Sequence, residues 1–282
     1  MLLVSALASA QSSEEFLARY QRQVKMLGAA GVGVEPIIDK WEEAFPEDGS
    51  MLEARFLYFY MKGQSTEVVK KDEDRYLGKK PILTLPDSLG RDVHYFEETM
   101  FVDSLFARSQ NAIDKAISCH PDDIQYRLDK ISSLFAYEKE SPDLAYAELV
   151  SMIDRNTASH PAWKYNGEDL SEDEFVDIVQ EYCSSFFKIG TPNGYELFLA
   201  ISQKMNRLYP QNAAFVGNIG SYWFIGKNNY RKAQSFYKKA LNLTIKRLIE
   251  AGSLNDDLSY LALRNRSIMK ILEKKMASGK KK

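Results

Sequence analysis

Helical periodicity cut at intervals by proline constrains this chain most. Apolar residues recur at helical spacing along nearly the whole length. Ser12 opens a capping box with Glu15, and Phe16, Tyr20, Val24 and Leu27 then share one face. Gly28, Gly31 and Gly33 break that helix. Pro36 suits the first turn of the next, which turns Ile37, Ile38, Trp41 and Phe45 inward and stops at Pro46. A third helix is predicted from Ser50 to Met61, with the aromatic run Phe56 to Tyr60. Further on, Leu105, Ser109, Ala112, Ile113, Ala116 and Ile117 form a stripe within a helix predicted from Phe96 to Ser118, ended by Pro121. Leu128, Ile131 and Phe135 form the next stripe. Ser141-Pro142 starts another helix by the cap-then-proline rule, with Ala145, Leu149, Met152 and Ile153 inward and Pro161 as punctuation. Ser171 and Glu174 read as a second capping box before Phe175, Val179, Tyr182 and Phe186. Leu197, Ile201, Met205 and Leu208 lead to Pro210.

One region departs from helix. Residues 63–80 are polar and charged, and read as a loop. Ile82-Leu83-Thr84-Leu85 and Val93-His94-Tyr95 flank Pro86-Asp87-Ser88-Leu89-Gly90. β-formers on both sides of such a turn predict a hairpin at 82–95, the one β-element the sequence signals.

Composition narrows the function classes. With 282 residues and 45% hydrophobic content the chain can bury a substantial core. Lys plus Arg is 37 against 39 Asp plus Glu, a net charge of −2, which argues against a nucleic-acid binder needing a concentrated positive field. Two cysteines, Cys119 and Cys183, and three histidines, His94, His120 and His160, are too few for a Cys/His zinc site, and no C-x-x-C pair occurs. No disulfide framework is present.

The segment after Pro210 carries the most specific pattern. Pro210-Gln-Asn-Ala-Ala-Phe-Val-Gly-Asn-Ile-Gly220 leads through Trp223, Gly226 and Tyr230 to Ala233, Tyr237, Ala240 and Leu241. This resembles a tetratricopeptide repeat. In that family a small residue stands where the two helices of a unit cross, and Gly220 and Ala233 match it. Trp223, Tyr230 and Tyr237 match the aromatic positions. Two departures stand out: the turn from Gly226 to Tyr230 is one residue too long, and no proline follows Leu243. Elsewhere the likeness is weaker. Prolines 46, 121, 161 and 210 lie 75, 40 and 49 residues apart, against a family period of about 34. The alternative is a helical bundle without repeats. After Leu243 the helix runs on through Ile245, Leu248 and Ile249 to Gly252, and a last helix sets Leu258, Leu261, Ile268 and Leu272 against many charges, as a solenoid's end requires.

The resemblance implies an all-α fold: a tetratricopeptide-like α-α superhelix with one inserted β-hairpin at about 63–95. The expected organisation is a signal-peptide remnant at 1–10, a repeat domain at 11–276 and a basic disordered tail at 277–282. The family binds peptides or helices on a concave wall made by the first helix of each pair. Asn218 occupies the position at which some members hold a ligand backbone or terminal carboxylate, and Ser221 and Phe224 share its face. On the preceding unit the face opposite Leu128 and Ile131 carries Tyr126, Asp129 and Lys130. These six residues are the expected partner-binding set, and a solvated helix face accounts for all of them too. The hairpin is the rival site, because inserted loops often carry function.

No catalytic constellation accompanies this. Cys119-His120 pairs a nucleophile with a base, but adjacent helical residues do not face each other. Gly28-Ala-Ala-Gly31-Val-Gly33 lacks the lysine and preceding strand of a phosphate loop. The acids of Asp169 to Glu174 suit a helix N-terminus rather than a metal loop. No enzymatic activity and no cofactor are expected, and no metal site. Two function classes stay open: a protein-protein interaction or scaffold module, and a ligand-binding protein or enzyme with a hidden pocket.

The apolar start, Met1 to Ala10, ends Ala8-Ser9-Ala10 before Gln11, the small-residue pattern that signal peptidase accepts. Export to the periplasm or beyond, with cleavage before Gln11, is the expectation, and cytoplasmic residence the alternative. The run is about ten residues, too short to span a bilayer, which takes about 20.

Overall fold

The computed structural model describes residues 12–251 and 256–279. Eleven α-helices and five short strands occur among the described residues, so the fold is mostly helical with a small β-component. The chain divides into two compact units. Unit 1 comprises Met1–Asp72, Pro81–Tyr137 and Asp154–Ser171; unit 2 comprises Glu73–Lys80, Glu138–Ile153 and Glu172–Lys282. The expected signal remnant, residues 1–10, and residues 280–282 of the expected tail lie outside the described residues.

Unit 1 begins with α1 (Ser13–Leu27), α2 (Val34–Ala44) and α3 (Gly49–Lys62). Ser12 caps α1, accepting from the Glu15 backbone N–H. Gly28 and Gly33 take positive φ, +80° and +86°, where a Cβ would be strained, and so make the turn between α1 and α2. One polar chain ties the three helices. Trp41 Nε1 donates to Ser13 Oγ at 3.0 Å, Ser13 Oγ donates to Asp48 at 2.5 Å, and Asp48 caps α3 by accepting from Met51 N. Around it Phe16 stacks on Trp41 at 6.2 Å, and Ile38, Met51, Leu52 and Phe56 are fully buried. Truncating such a buried aromatic typically costs about 3–5 kcal/mol.

The segment after α3 corrects the sequence reading. Residues 64–71, expected as loop, form strand β1 (Gln64–Lys71). It pairs antiparallel with β3 (Asp92–Phe101) from Gln64↔Phe101 to Lys71↔His94. Strand β2 (Leu83–Pro86) pairs with the other edge of β3, giving the order β1-β3-β2. The predicted hairpin is thus present, within a larger sheet. The strand β3 also claims residues 96–101, which periodicity assigned to helix; α4 (Asp103–Cys119) starts only after Val102. Pairing satisfies the backbone of 94–101 through β1, and both strands show little one-sided alternation because the sheet is largely solvated.

After α4 comes α5 (Ile124–Glu138). Gln110 donates to Ser133 at 3.0 Å, Phe106 stacks on Tyr137 at 3.9 Å, and Lys130 pairs with Asp114 at 2.7 Å. These contacts seat α5 on α4. A second small hairpin, β4 (Lys164–Tyr165) with β5 (Glu168–Asp169), turns at Asn166-Gly167, both at positive φ. Asn-Gly between extended residues is the strongest short hairpin signal, and here it was present but unread.

Residues 143–153 of α6 (Asp143–Ser159) belong to unit 2. It continues with α7 (Glu172–Lys188), α8 (Pro192–Leu208), α9 (Ala213–Ser221), α10 (Tyr230–Ala251) and α11 (Asp256–Gly279). Thr191 caps α8 with Pro192 in its first turn. Asn212 caps α9, accepting from Ala214 N at 2.9 Å. A π-helical turn follows at Tyr222–Gly226, closed by Lys227 N donating to Tyr222 O at 3.1 Å. Asn229 then caps α10. A Cβ on Gly220 would meet the Tyr237 ring at 3.1–3.3 Å, so the small residue makes room for an aromatic of α10. Ala233, Tyr237 and Leu272 form a buried cluster there. The helix α11 runs to Gly279, into the segment expected as tail, and it exposes Tyr260, Leu263 and Ile271 beside its charges.

Candidate functional site

The six expected partner-binding residues separate by unit. In unit 2, Asn218 is only 6% exposed. Its amide nitrogen donates to Gln180 Oε1 at 2.8 Å, and Gln180 Nε2 donates back at 3.3 Å, so α7 and α9 close on each other through a reciprocal amide pair. Ser221 is buried too. Its hydroxyl bonds Gly217 O at 3.1 Å and the Tyr237 hydroxyl at 2.8 Å. Phe224 is half-buried, edge-on to Tyr230 at 6.0 Å, with the Lys275 ammonium 5.8 Å from its ring. The expectation that Asn218 and Ser221 lie on an exposed face is corrected: helix α9 is buried nearly all round, because α8 and α10 both pack against it.

In unit 1, Tyr126 is likewise buried, at 7% exposure, as part of the core that includes Trp41 and Met51. A Cβ on Gly49 would collide with its hydroxyl, which therefore fixes glycine at the start of α3. Lys130 turns away to its salt bridge with Asp114 on α4. Asp129 is different. It accepts from Gln125 Nε2 at 2.7 Å, yet burial and the charge of Asp123 push its carboxyl up to about 6. Beside it stands a residue that periodicity did not single out, Glu53 on α3. Burial, then the charges of Asp129 and Asp123, push Glu53 up to about 7. The same charges act on Tyr126, whose hydroxyl is raised by burial first and by Asp123, Glu53, Asp48 and Asp129 after it. From α1, Tyr20 is 7% exposed and its hydroxyl is buried with no hydrogen-bond partner. Burial, then the charge of Glu53, pushes it to about 12. This electrostatic coupling leaves no periodic trace, since Glu53 lies on α3, Asp129 on α5 and Asp123 just before α5.

The other candidates resolve as structure. The ring nitrogen of His120 meets Glu47 O at 2.7 Å, and Cys119 packs against the unit 1 core. Cys183 is buried in unit 2, and burial pushes its thiol up to about 12, far from a nucleophile's range. Both cysteines are free thiols. The glycines 28–33 make an interhelical turn. Among the described residues no group of three or more His, Cys, Asp or Glu is placed to hold a metal ion, and no helix is long and apolar enough to cross a membrane. The hairpin exposes Ile82, Leu83, Leu85 and Leu89. No family model, curated protein or solved structure gives a significant match to the chain.

Proposed function

We propose that this chain is a divergent tetratricopeptide-like protein acting as a non-enzymatic interaction or scaffold module, exported to the cell envelope or beyond. A partner protein docks on the faces of the first helices. In unit 1 these are α1, α3 and α5. The observation that carries the reading is the state of three polar side chains on these helices. Tyr20 has a buried hydroxyl without a partner, and Glu53 and Asp129 are carboxylates held in a partly dehydrated site. A buried hydroxyl without a partner is costly to keep for folding alone. The repeat likeness is supported by Gly220 lodging Tyr237 and by caps and prolines at the helix joints. Export rests on Ala8-Ser9-Ala10 before Gln11.

The test is affinity capture from envelope extract of the native cell, using the chain from Gln11 onward. A protein retained by this chain and lost on neutralising Glu53 and Asp129 supports the reading; retention of none overturns it. Intact Met1 in the cytoplasmic fraction, by mass spectrometry, overturns export. The hairpin supplies a second docking reading, favoured by its exposed leucines. Leu83→Thr with Leu89→Ser abolishes capture on that reading and leaves it unchanged on the first.

A further inference from the structure

We infer that the groove between α2 and α4, floored by α3, binds an acidic segment of a partner protein, with Arg108 gripping a carboxylate side chain. Its walls are helices that the docking reading above does not use, so it goes beyond that reading and adds a separate face.

The groove has a volume of about 630 Å³ and lies wholly within unit 1. Helix α3 packs against both α2 and α4 and supplies Arg55 and Phe59 to the floor. One wall is acidic: Glu35, Asp39 and Glu42 recur at helical spacing along α2. The other is basic: Arg108, Asn111 and Lys115 recur in the same way along α4. The two walls differ in how their charges are met. Glu35 accepts from the Tyr58 hydroxyl at 2.6 Å and pairs with Lys62 at 3.4 Å. Asp39 and Glu42 each pair with Arg55 at 2.7 Å. Among the described residues, Arg108 and Lys115 pair with no acid, and the Asn111 amide has no hydrogen-bond partner. The donors left over are thus on the α4 wall, and they call for an anionic occupant.

The second observation is how Arg108 is held. Its guanidinium carbon lies 3.8 Å from the centroid of the Phe59 ring, which is itself buried. A guanidinium on a ring face is pre-positioned, and its in-plane N–H fork remains for a bidentate acceptor. A carboxylate matches that fork. Lys115 stands two helical turns further on, about 10 Å along the axis, and takes a second acid of the same segment. The opposite wall sets the class of anion. A nucleic acid carries charge on every unit and meets the three carboxylates of α2 across the groove. A peptide can turn its acids to α4 alone, and its backbone carbonyls can accept from Asn111.

The probe is rhodamine-labelled hexaglutamate with an amidated C-terminus, so that only side-chain carboxylates are offered. It is read by anisotropy at low salt with the intact chain, and hexaglutamine with the same label is the uncharged control. Arg108→Gln with Lys115→Gln is expected to weaken hexaglutamate binding about tenfold or more, since two charge-assisted contacts are lost. Arg19→Gln with Lys25→Gln, exposed cations on α1, removes the same charge and is expected to change it less than about twofold. Arg108→Lys keeps the charge and an aliphatic stem over Phe59 but lacks the fork, and is expected to cost about three- to fivefold with an unchanged circular dichroism spectrum. Equal weakening by the two double variants reduces the effect to net charge and overturns the groove. Binding by Arg108→Lys as tight as by the parent overturns the grip assigned to Arg108. Hexaglutamine bound as tightly as hexaglutamate, hexathymidylate bound more tightly, or no binding of hexaglutamate by the parent overturns the acidic-peptide assignment. The face proposed above is judged by protein capture and its loss in the Glu53 and Asp129 variant, so either site can fail while the other stands.

Discussion

Helices α7 and α9 in unit 2 and helices α1 and α3 in unit 1 treat particular polar side chains in opposite ways. In unit 2, Asn218 and Gln180 exchange hydrogen bonds, and Ser221 is satisfied by Gly217 and Tyr237. In unit 1, Tyr20 has no partner, and Glu53 stands among other acids. A buried polar group that is paired holds helices in register. One that is left unpaired, or left among like charges, lowers stability and stands ready for something from outside. Polarity on a helix face therefore does not identify a binding surface.

Four measurements sharpen or break this comparison. The largest effect is expected in the closed unit. Gly220→Leu drives a side chain into the Tyr237 ring, already 3.1 Å from a bare Cβ, and should cost about 1–3 kcal/mol in urea unfolding. A variant as stable as the parent means α9 and α10 have room to part. Next, Asn218→Ala strands the Gln180 amide and should cost about 1–2 kcal/mol. If it costs nothing, the reciprocal pair is not what closes unit 2.

The third concerns unit 1 and has the opposite sign. Burial, then the charges of Asp129 and Asp123, push Glu53 up to about 7 from its ordinary value of 4.5. A raised pKa means that the folded state binds the proton more tightly than the unfolded state. Its stabilising contribution is thus full below about pH 4.5 and is lost as pH rises through about 7. Asp129, raised to about 6, adds in the same direction. The melting temperature should rise as pH is lowered from 8 to 5. Glu53→Gln should stabilise the chain at pH 8 by on the order of 1 kcal/mol, after discounting for solvent screening, and flatten the profile. A melting temperature that falls over this window contradicts the dehydrated-acid picture. The smallest effect is Lys130→Met. Its pair with Asp114 is half-exposed on one side, so the cost should stay below about 0.5 kcal/mol in the same assay. A larger loss means that this pair is screened less than its exposure implies.

The sequence by itself determined the helices and most of their joints. Capping at Ser12, proline in the first turn of α8, and the positive-φ glycines 28 and 33 act within a few residues, so local chemistry is enough to place them. The hairpin was legible because its turn and flanks are adjacent. Strand β1 was not, since a solvated strand lacks alternation and its partner lies about thirty positions on, a pairing that local propensity does not encode. The Asn166-Gly167 hairpin was legible and missed. Tertiary structure alone decided which polar residues are spent. Periodicity placed Tyr126, Asn218 and Ser221 on outward faces, but their helices have neighbours on more than one side, so those faces are buried. It alone brought Glu53 to Asp129, because like charges from distant helices are placed together by packing of the apolar core around them, at an electrostatic cost that no single segment of sequence records.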